Sequence, residues 1–181
     1  MQIKNLIFCF IFLFVGENSN EETMTWDQSR KLTWADFKAN PNLSSDAVAL
    51  TASGITFGYS VKTSGRQIIG FSTSVEAHFY PNKSWYLKEK GNDNILRHEQ
   101  LHFDITELYA RQFREQIMRL EVNQNVKEQM TRLHATINEA LNETQKRYDK
   151  QSNHSINIEM QKQWENFIAD ELKKLDQFKS Q

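Results

Sequence analysis

Hydrophobic and polar residues alternate through two stretches in the first half of the chain. One run extends from Ile55 to Val61 and the other from Phe71 to Phe79. A period of two residues is typical of half-buried β-strands. Ser64-Gly65-Arg66 between the runs indicates a turn. We therefore expect a small antiparallel or mixed β-sheet in this region.

From about residue 94 the apolar positions follow the period of an α-helix. The stretch from Ile95 to about Leu120 contains no Gly or Pro, and Asn92 or Asp93 is a suitable N-cap for it. Two further helices are predicted, from about Asn123 to Arg147 and from about Asn157 to Phe178. Strands followed by helices predict an α+β domain.

The N-terminal residues form a separate unit. Lys4 precedes an apolar run from Leu6 to Val15, which small and polar residues follow. This run is short for a helix that spans about 30 Å of hydrocarbon, and its flanks are typical of a signal peptide. We expect a signal peptide at residues 1–19 and a single domain at residues 20–181. The protein would then be secreted or periplasmic, without membrane association after cleavage; an uncleaved anchor is the alternative.

Composition narrows the chemistry that the chain can perform. The 22 Lys and Arg residues balance 23 Asp and Glu residues, so no basic surface for nucleic acid is indicated. Cys9 is the single cysteine and lies within the predicted signal peptide. Any metal site in the mature chain must therefore use His, Asp and Glu.

The segment His98-Glu99-Gln100-Leu101-His102 matches the H-E-x-x-H motif. Residues four positions apart lie on one face of an α-helix, so both imidazoles can bind the same metal ion. Zinc lowers the pKa of a coordinated water to about 7, and Glu99 is placed to accept its proton. The motif predicts a Zn²⁺ site with Glu99 as the catalytic base. A pair of surface histidines is the alternative interpretation.

The third zinc ligand must come from outside this helix. At about 100° per residue, Asp104 and Glu107 point away from His98 by about 120° and 180°. We expect Glu107 instead to pair with Arg111 four residues later.

Three histidines and the carboxylates of the later helices remain as candidates for the third ligand. His134 lies on the apolar stripe of its helix, where a core residue is expected. His78 is out of phase with the apolar side of its strand. His154 occupies the predicted loop between the second and third helices, and rigid elements often present functional residues on such loops. We therefore favour His154.

Several segments of the chain match the motifs of one protein family: Leu32-Thr33-Trp34-Ala35-Asp36-Phe37, Lys83-Ser84-Trp85, His98 to Ile105 with Glu107, Ala110 and Arg111, and Tyr148-Asp149 with His154, Gln161 and Trp164. Together they resemble a bacterial family of predicted secreted zinc-dependent proteases, catalogued as a domain of unknown function. Ser152 and Ser155 stand where that pattern has Thr and Gly. The resemblance implies a minimal zincin-like fold with a three-residue metal site.

These observations predict a secreted zinc metallopeptidase that hydrolyses peptides or proteins with metal-activated water. His98, His102 and His154 would hold Zn²⁺. Tyr148 or His78 would stabilise the oxyanion, and Asp149 or Asp104 would orient a ligand imidazole. The alternatives are a secreted zinc-binding protein without catalysis and a helical interaction module with an accidental motif. The sequence does not indicate an oligomeric state.

Overall fold

The computed structural model describes residues 21–180, and the predicted signal peptide lies outside them. No helix among these residues is long and apolar enough to cross a membrane. The regular elements are β1 (Met24–Thr25), β2 (Ala49–Leu50), β3 (Ser53–Ser64), β4 (Gln67–Phe79), β5 (Trp85–Tyr86), α1 (Asp93–Ile117), α2 (Val126–Ser152) and α3 (Ile158–Lys174).

The two alternating runs form an antiparallel hairpin, as predicted. β3 and β4 pair in register Ile55↔Ala77 and Phe57↔Val75. Gly65 adopts φ 59° at the turn, a conformation that glycine reaches without a steric penalty. β1 adds to the other side of β4, and β2 pairs with β5 as a separate antiparallel ribbon. The prediction of an α+β domain is confirmed, and every strand pair in the described chain is antiparallel.

Helix α1 lies at the centre of the domain because both of its apolar sides are covered. Val75, Ala77 and Phe79 of β4 pack against one side, where they contact residues such as Phe103 and Phe113. Helices α2 and α3 cover another side through a second cluster, formed by Leu101, Ile105, Leu108, Leu141, Tyr148, Trp164 and Ile168. The motif helix is therefore held between the sheet and the two later helices.

Helix α2 continues further than the sequence predicts. It ends at Ser152 and not near Arg147, because the first residue with left-handed backbone is Asn153 at φ 46°. Tyr148 and Asp149 consequently lie on the last turns of a helix. Because both residues lie on a rigid helix, their side chains have a fixed direction from α2 towards α1, where both contact His98.

A buried ion pair ties α1 to the C-terminal part of the chain. The predicted pair is confirmed: Arg111 Nε donates to Glu107 Oε1 at 2.8 Å, and both side chains are 2% exposed. Arg114 Nη1 approaches the same carboxylate oxygen at 3.1 Å. Arg111 Nη1 also donates to the Leu172 carbonyl at 2.7 Å. Glu107 therefore neutralises two guanidinium groups that are largely removed from water.

Replacing Glu107 with Gln is expected to lower the free energy of unfolding by about 3–5 kcal/mol, because Arg111 and Arg114 lose their closest carboxylate. Asp176 and Glu76 remain, each at 3.7 Å from one of the two guanidinium groups. The matched control is Glu115→Gln on the same helix, which breaks the exposed pair of Glu115 and Arg119 at the same spacing. That change should cost less than about 1 kcal/mol. Urea unfolding of the three proteins measures the difference, and equal losses would contradict the account.

His134 occupies an aromatic part of the core, as expected from its place on the apolar stripe of α2. Its ring lies 5.3 Å from Phe57 and 5.5 Å from Phe113 between centroids. Its Nε2 atom is buried without a hydrogen-bond partner. Burial lowers the pKa of His134 below the ordinary value of 6.5, because the charged form is poorly solvated there.

The lowered pKa of His134 predicts a loss of stability in mild acid. Below an unfolded-state pKa of 6.5 the unfolded chain binds a proton that the folded chain resists, so the free energy of unfolding falls with pH. His134→Leu should lose less stability than wild type between about pH 7.5 and about pH 5.5. Chemical unfolding at both pH values measures this, and an unchanged pH dependence in the variant would refute it.

Candidate metal centre

The two motif histidines converge from successive turns of α1. Their Nε2 atoms lie 3.2 Å apart, and the rings are nearly perpendicular at an interplanar angle of 86°. The side chain of His98 is 5% exposed and that of His102 is 14% exposed. The pair is thus largely buried, and His102 keeps some contact with solvent.

Asp149 of α2 completes a triangle of donor atoms. Its Oδ1 lies 3.1 Å from His98 Nε2 and 3.0 Å from His102 Nε2. Donors that bind a tetrahedral ion at about 2.0–2.1 Å lie about 3.3 Å from one another. The three observed separations therefore have the size that a single bound cation requires.

Two glutamine amides determine which ring nitrogens carry protons. Gln145 Nε2 donates to the His102 carbonyl at 2.9 Å, so its Oε1 faces His102 Nδ1 and accepts from it. Gln161 Oε1 lies 3.1 Å from His98 Nδ1 and also accepts from the Tyr148 hydroxyl at 2.7 Å. Both Nδ1 atoms must therefore be donors, which leaves a lone pair on each Nε2 of the neutral rings.

Three lone-pair atoms consequently face one another at about hydrogen-bond distance, an arrangement that is repulsive without a cation or added protons. Among the described residues, His98, His102 and Asp149 form the group whose donor atoms all lie within 4.8 Å of one another. Two imidazole nitrogens and one carboxylate oxygen suit zinc. The residues present therefore fit a divalent metal ion.

The pKa shifts at the site follow from the same convergence. Burial alone would lower the pKa of His102, but the charge and hydrogen bond of Asp149 raise it to about 9. Burial would raise the pKa of Asp149, yet His102 and His98 lower it well below its usual range. The carboxylate is thus ionised and available as a ligand. Protons and a metal ion would compete for the same lone pairs.

Glu99 provides a carboxylate without a fixed partner beside the triangle. The residue is 5% exposed, and its Oε2 is buried without any hydrogen bond in the described structure. Its backbone is held by Thr51, whose hydroxyl donates to the Glu99 carbonyl at 3.1 Å. A buried carboxylate oxygen that the protein leaves unpaired is costly, and such groups are typical of catalytic positions.

His154, which the sequence favours as the third ligand, lies beside the triangle and not within it. Its Nδ1 is 3.8 Å from Asp149 Oδ1, and its side chain is 44% exposed. It is not a member of the group of mutually close donors. The geometry therefore favours Asp149 as the third donor. The sequence predicts for Asp149 only the role of orienting a ligand imidazole.

Tyr148 and Asp104 have structural partners that limit their roles. The Tyr148 hydroxyl is buried and donates to Gln161, while its ring stacks on His98 with centroids 4.5 Å apart. These contacts give Tyr148 a packing and orienting role beside His98, and the oxyanion role stays a prediction. Asp104 accepts hydrogen bonds from Trp26 Nε1 at 2.7 Å and from Gln100 at 2.8 Å, so it does not orient either motif imidazole.

Gln145 was missed by sequence reasoning, although it lies one helical turn before Asp149 on α2.

Gln145→Leu should weaken zinc binding about 10–100-fold, because the His102 ring loses the acceptor that fixes its tautomer. Competition with a zinc indicator dye measures the affinity. Gln151→Leu on the same helix is the control, because Gln151 accepts from Trp164 Nε1 and not from an imidazole. An equal affinity in all three proteins would contradict the assignment.

A cavity of about 1010 Å³ lies on a different face of α1 from the donor triangle. Its walls include Trp26, Leu101, Asp104 and Ile168, and none of the three donors contributes to it. The chemistry of the donor triangle, and not the size of this cavity, therefore identifies the candidate site.

Comparison with known proteins gives one family. A family model described as "Bacterial protein of unknown function (DUF922)" matches residues 26–155, which include α1 and the whole donor triangle. No curated protein and no solved structure matches the chain. Since the match covers most of the sequence, the chain belongs to this bacterial family of unknown function.

Proposed function

We propose that the chain is an exported zinc-dependent hydrolase of minimal zincin type that cleaves peptide bonds. The observation that carries the proposal is the unpaired, buried carboxylate of Glu99 beside three converging donor atoms. A purely structural metal site has no need for such a group. The antiparallel sheet packed along the motif helix supports the zincin-like fold, and the apolar N-terminal run supports export.

Zinc, when bound by His98, His102 and Asp149, would supply a Lewis acid that polarises a carbonyl group and lowers the pKa of water. Gln145 and Gln161 hold the two imidazoles in the tautomer that exposes Nε2. The choice of a peptide bond rests on the H-E-x-x-H motif and on the family resemblance.

Glu99 would transfer the proton in this reaction. Its free Oε2 accepts a proton from the attacking water, and the same group then donates that proton to the nitrogen of the leaving amine. The nearly complete burial of Glu99 keeps the carboxylate from being solvated by bulk water.

The proposal is tested with the exported chain, loaded with one equivalent of zinc and incubated with a mixed peptide library. We expect cleavage products that disappear with a chelator and return when zinc is added back. Zinc binding without any turnover would instead support a non-catalytic zinc-binding protein. Absence of zinc after purification, with melting unaffected by chelator, would support a helical interaction module.

A further inference from the structure

We infer that His154 faces the substrate and donates a hydrogen bond to the carbonyl oxygen under attack. This inference rests on the proposed function and deepens it. It assigns His154 a catalytic role at the rim of the site, where the sequence alone favours a metal ligand.

The position of His154 supports contact with a substrate. Its side chain is 44% exposed, and its Nδ1 lies 3.8 Å from Asp149 Oδ1. That distance is too long for a hydrogen bond, so either ring nitrogen is available to carry a donated proton. Of the three described donors, His154 is close to Asp149 alone: it is not a member of the group in which all donor atoms lie within 4.8 Å of one another, so it does not approach the whole set as a shared ligand would. The imidazole is next to the metal donors, but it is not one of them.

The backbone around His154 is held in an uncommon conformation. Asn153, His154 and Ser155 have φ values of 46°, 51° and 71°, a left-handed run that residues with a Cβ rarely adopt. Residues in such conformations persist where neighbouring structure imposes them, and they cluster at functional sites.

Hydrogen bonds from two helices fix this turn. The His154 N–H donates to the Asp149 carbonyl at 3.0 Å, and Asn94 Nδ2 of α1 donates to the Ser155 carbonyl at 2.7 Å. The turn is therefore tied both to the helix that carries Asp149 and to the start of the helix that carries the motif. The backbone that carries the imidazole therefore has a defined location beside the donors.

The location suits a group that stabilises negative charge on the substrate. When the water oxygen bonds to the carbonyl carbon, the π electrons move to the carbonyl oxygen, which becomes negatively charged. An imidazole N–H of His154 donates a hydrogen bond to that oxygen, and the imidazole keeps its proton. The C–N bond then breaks, the carbonyl forms again, and Glu99 delivers the proton from water to the amine.

The test compares His154→Gly with wild type in the zinc-loaded chain. Glycine removes the imidazole and tolerates the left-handed backbone, so a loss of function would not arise from strain. Asn153→Gly is the matched control, because it changes the same turn and keeps the imidazole. His154→Asn, which tolerates the backbone and retains an N–H donor, should restore part of the activity.

We expect His154→Gly to lower kcat about 100-fold and to change KM little, as for the loss of one oxyanion donor. Affinity for phosphinic pseudo-peptides, whose tetrahedral anion mimics the charged intermediate, should fall by a similar factor. Zinc affinity should stay within about 3-fold of wild type, well below the 10–100-fold loss seen when a residue that supports a ligand is removed. Asn153→Gly should match wild type in all three measurements.

Three results would overturn the inference. An active wild type with unchanged kcat and phosphinic affinity in His154→Gly would reject this role while leaving the hydrolase intact. A fall in zinc affinity of more than about 10-fold would show that His154 binds or supports the metal instead of the substrate. A wild type that binds zinc but neither cleaves peptides nor binds phosphinic pseudo-peptides would reject the proposed function, and this inference with it.

Discussion

Glu99→Gln is expected to lower kcat for peptide hydrolysis by about 10²–10⁴-fold while zinc affinity remains close to that of wild type. Glutamine keeps the shape of the side chain but has no basic carboxylate, so proton transfer from water is lost. Because Glu99 Oε2 has no hydrogen bond in the described structure, the change breaks no existing contact at that atom. Initial rates on a cleaved library peptide, measured beside zinc titrations, separate chemistry from binding.

Glu115→Gln is the control for this prediction, because Glu115 lies on the same helix and its ion pair, at 2.6 Å, is with the exposed side chain of Arg119. It should retain full activity. Unimpaired turnover by Glu99→Gln would show that another group moves the proton. A parallel loss of zinc would show that Glu99 supports the metal instead.

Asp149→Asn is expected to weaken zinc binding by more than about 100-fold, above the range for residues that only orient a ligand. The amide lacks the negative charge that attracts the cation, and its nitrogen presents hydrogens to it. Zinc at about 100 times its Kd should stabilise the wild-type fold by about 2.7 kcal/mol, and this gain should largely disappear in the variant.

Asp149 also pairs with both imidazoles, so the metal-free variant should itself be less stable than wild type. The zinc-dependent shift in Tm is therefore the informative quantity, not the absolute Tm. Gln151→Leu, on the same helix but directed at Trp164, provides the control. An undiminished zinc-dependent shift in Asp149→Asn would exclude this carboxylate as a ligand.

The parts of the structure that the sequence predicts well depend on local spacing. The hairpin follows from alternation around Ser64-Gly65-Arg66, and the convergence of His98 and His102 follows from four-residue spacing on a helix. The pair of Glu107 and Arg111 follows from the same spacing. In each case the interacting residues lie within one turn of a single helix or on two strands joined by one tight turn.

The third donor could not be found in this way, because it depends on how α2 packs against α1. Asp149 lies 51 residues from His98 in the sequence, and sequence periodicity carries no information on the distance between two helices. The predicted end of α2 near Arg147 also placed Asp149 outside the helix. Only the extension of α2 to Ser152 gives its carboxylate a fixed direction towards the motif helix.

The glutamines that orient the rings escaped prediction for a similar reason. Gln145 and Gln161 are common polar residues on helix surfaces until packing places their amides against His102 and His98. Gln145 precedes Asp149 by four residues, so both lie on one face of α2. That spacing becomes informative once the structure places Asp149 beside the motif histidines.

X-ray absorption spectroscopy at the zinc edge tests the central claim most directly. For the wild-type chain with one equivalent of zinc, we predict one tightly bound ion. Its ligands are two imidazole nitrogens and oxygen atoms, each about 2.0–2.2 Å from the zinc. Outer-shell scattering from two imidazole rings, unchanged in His154→Gly, is the result expected for ligation by His98, His102 and Asp149. Scattering from three imidazoles, or a chain that fails to bind zinc, would contradict it.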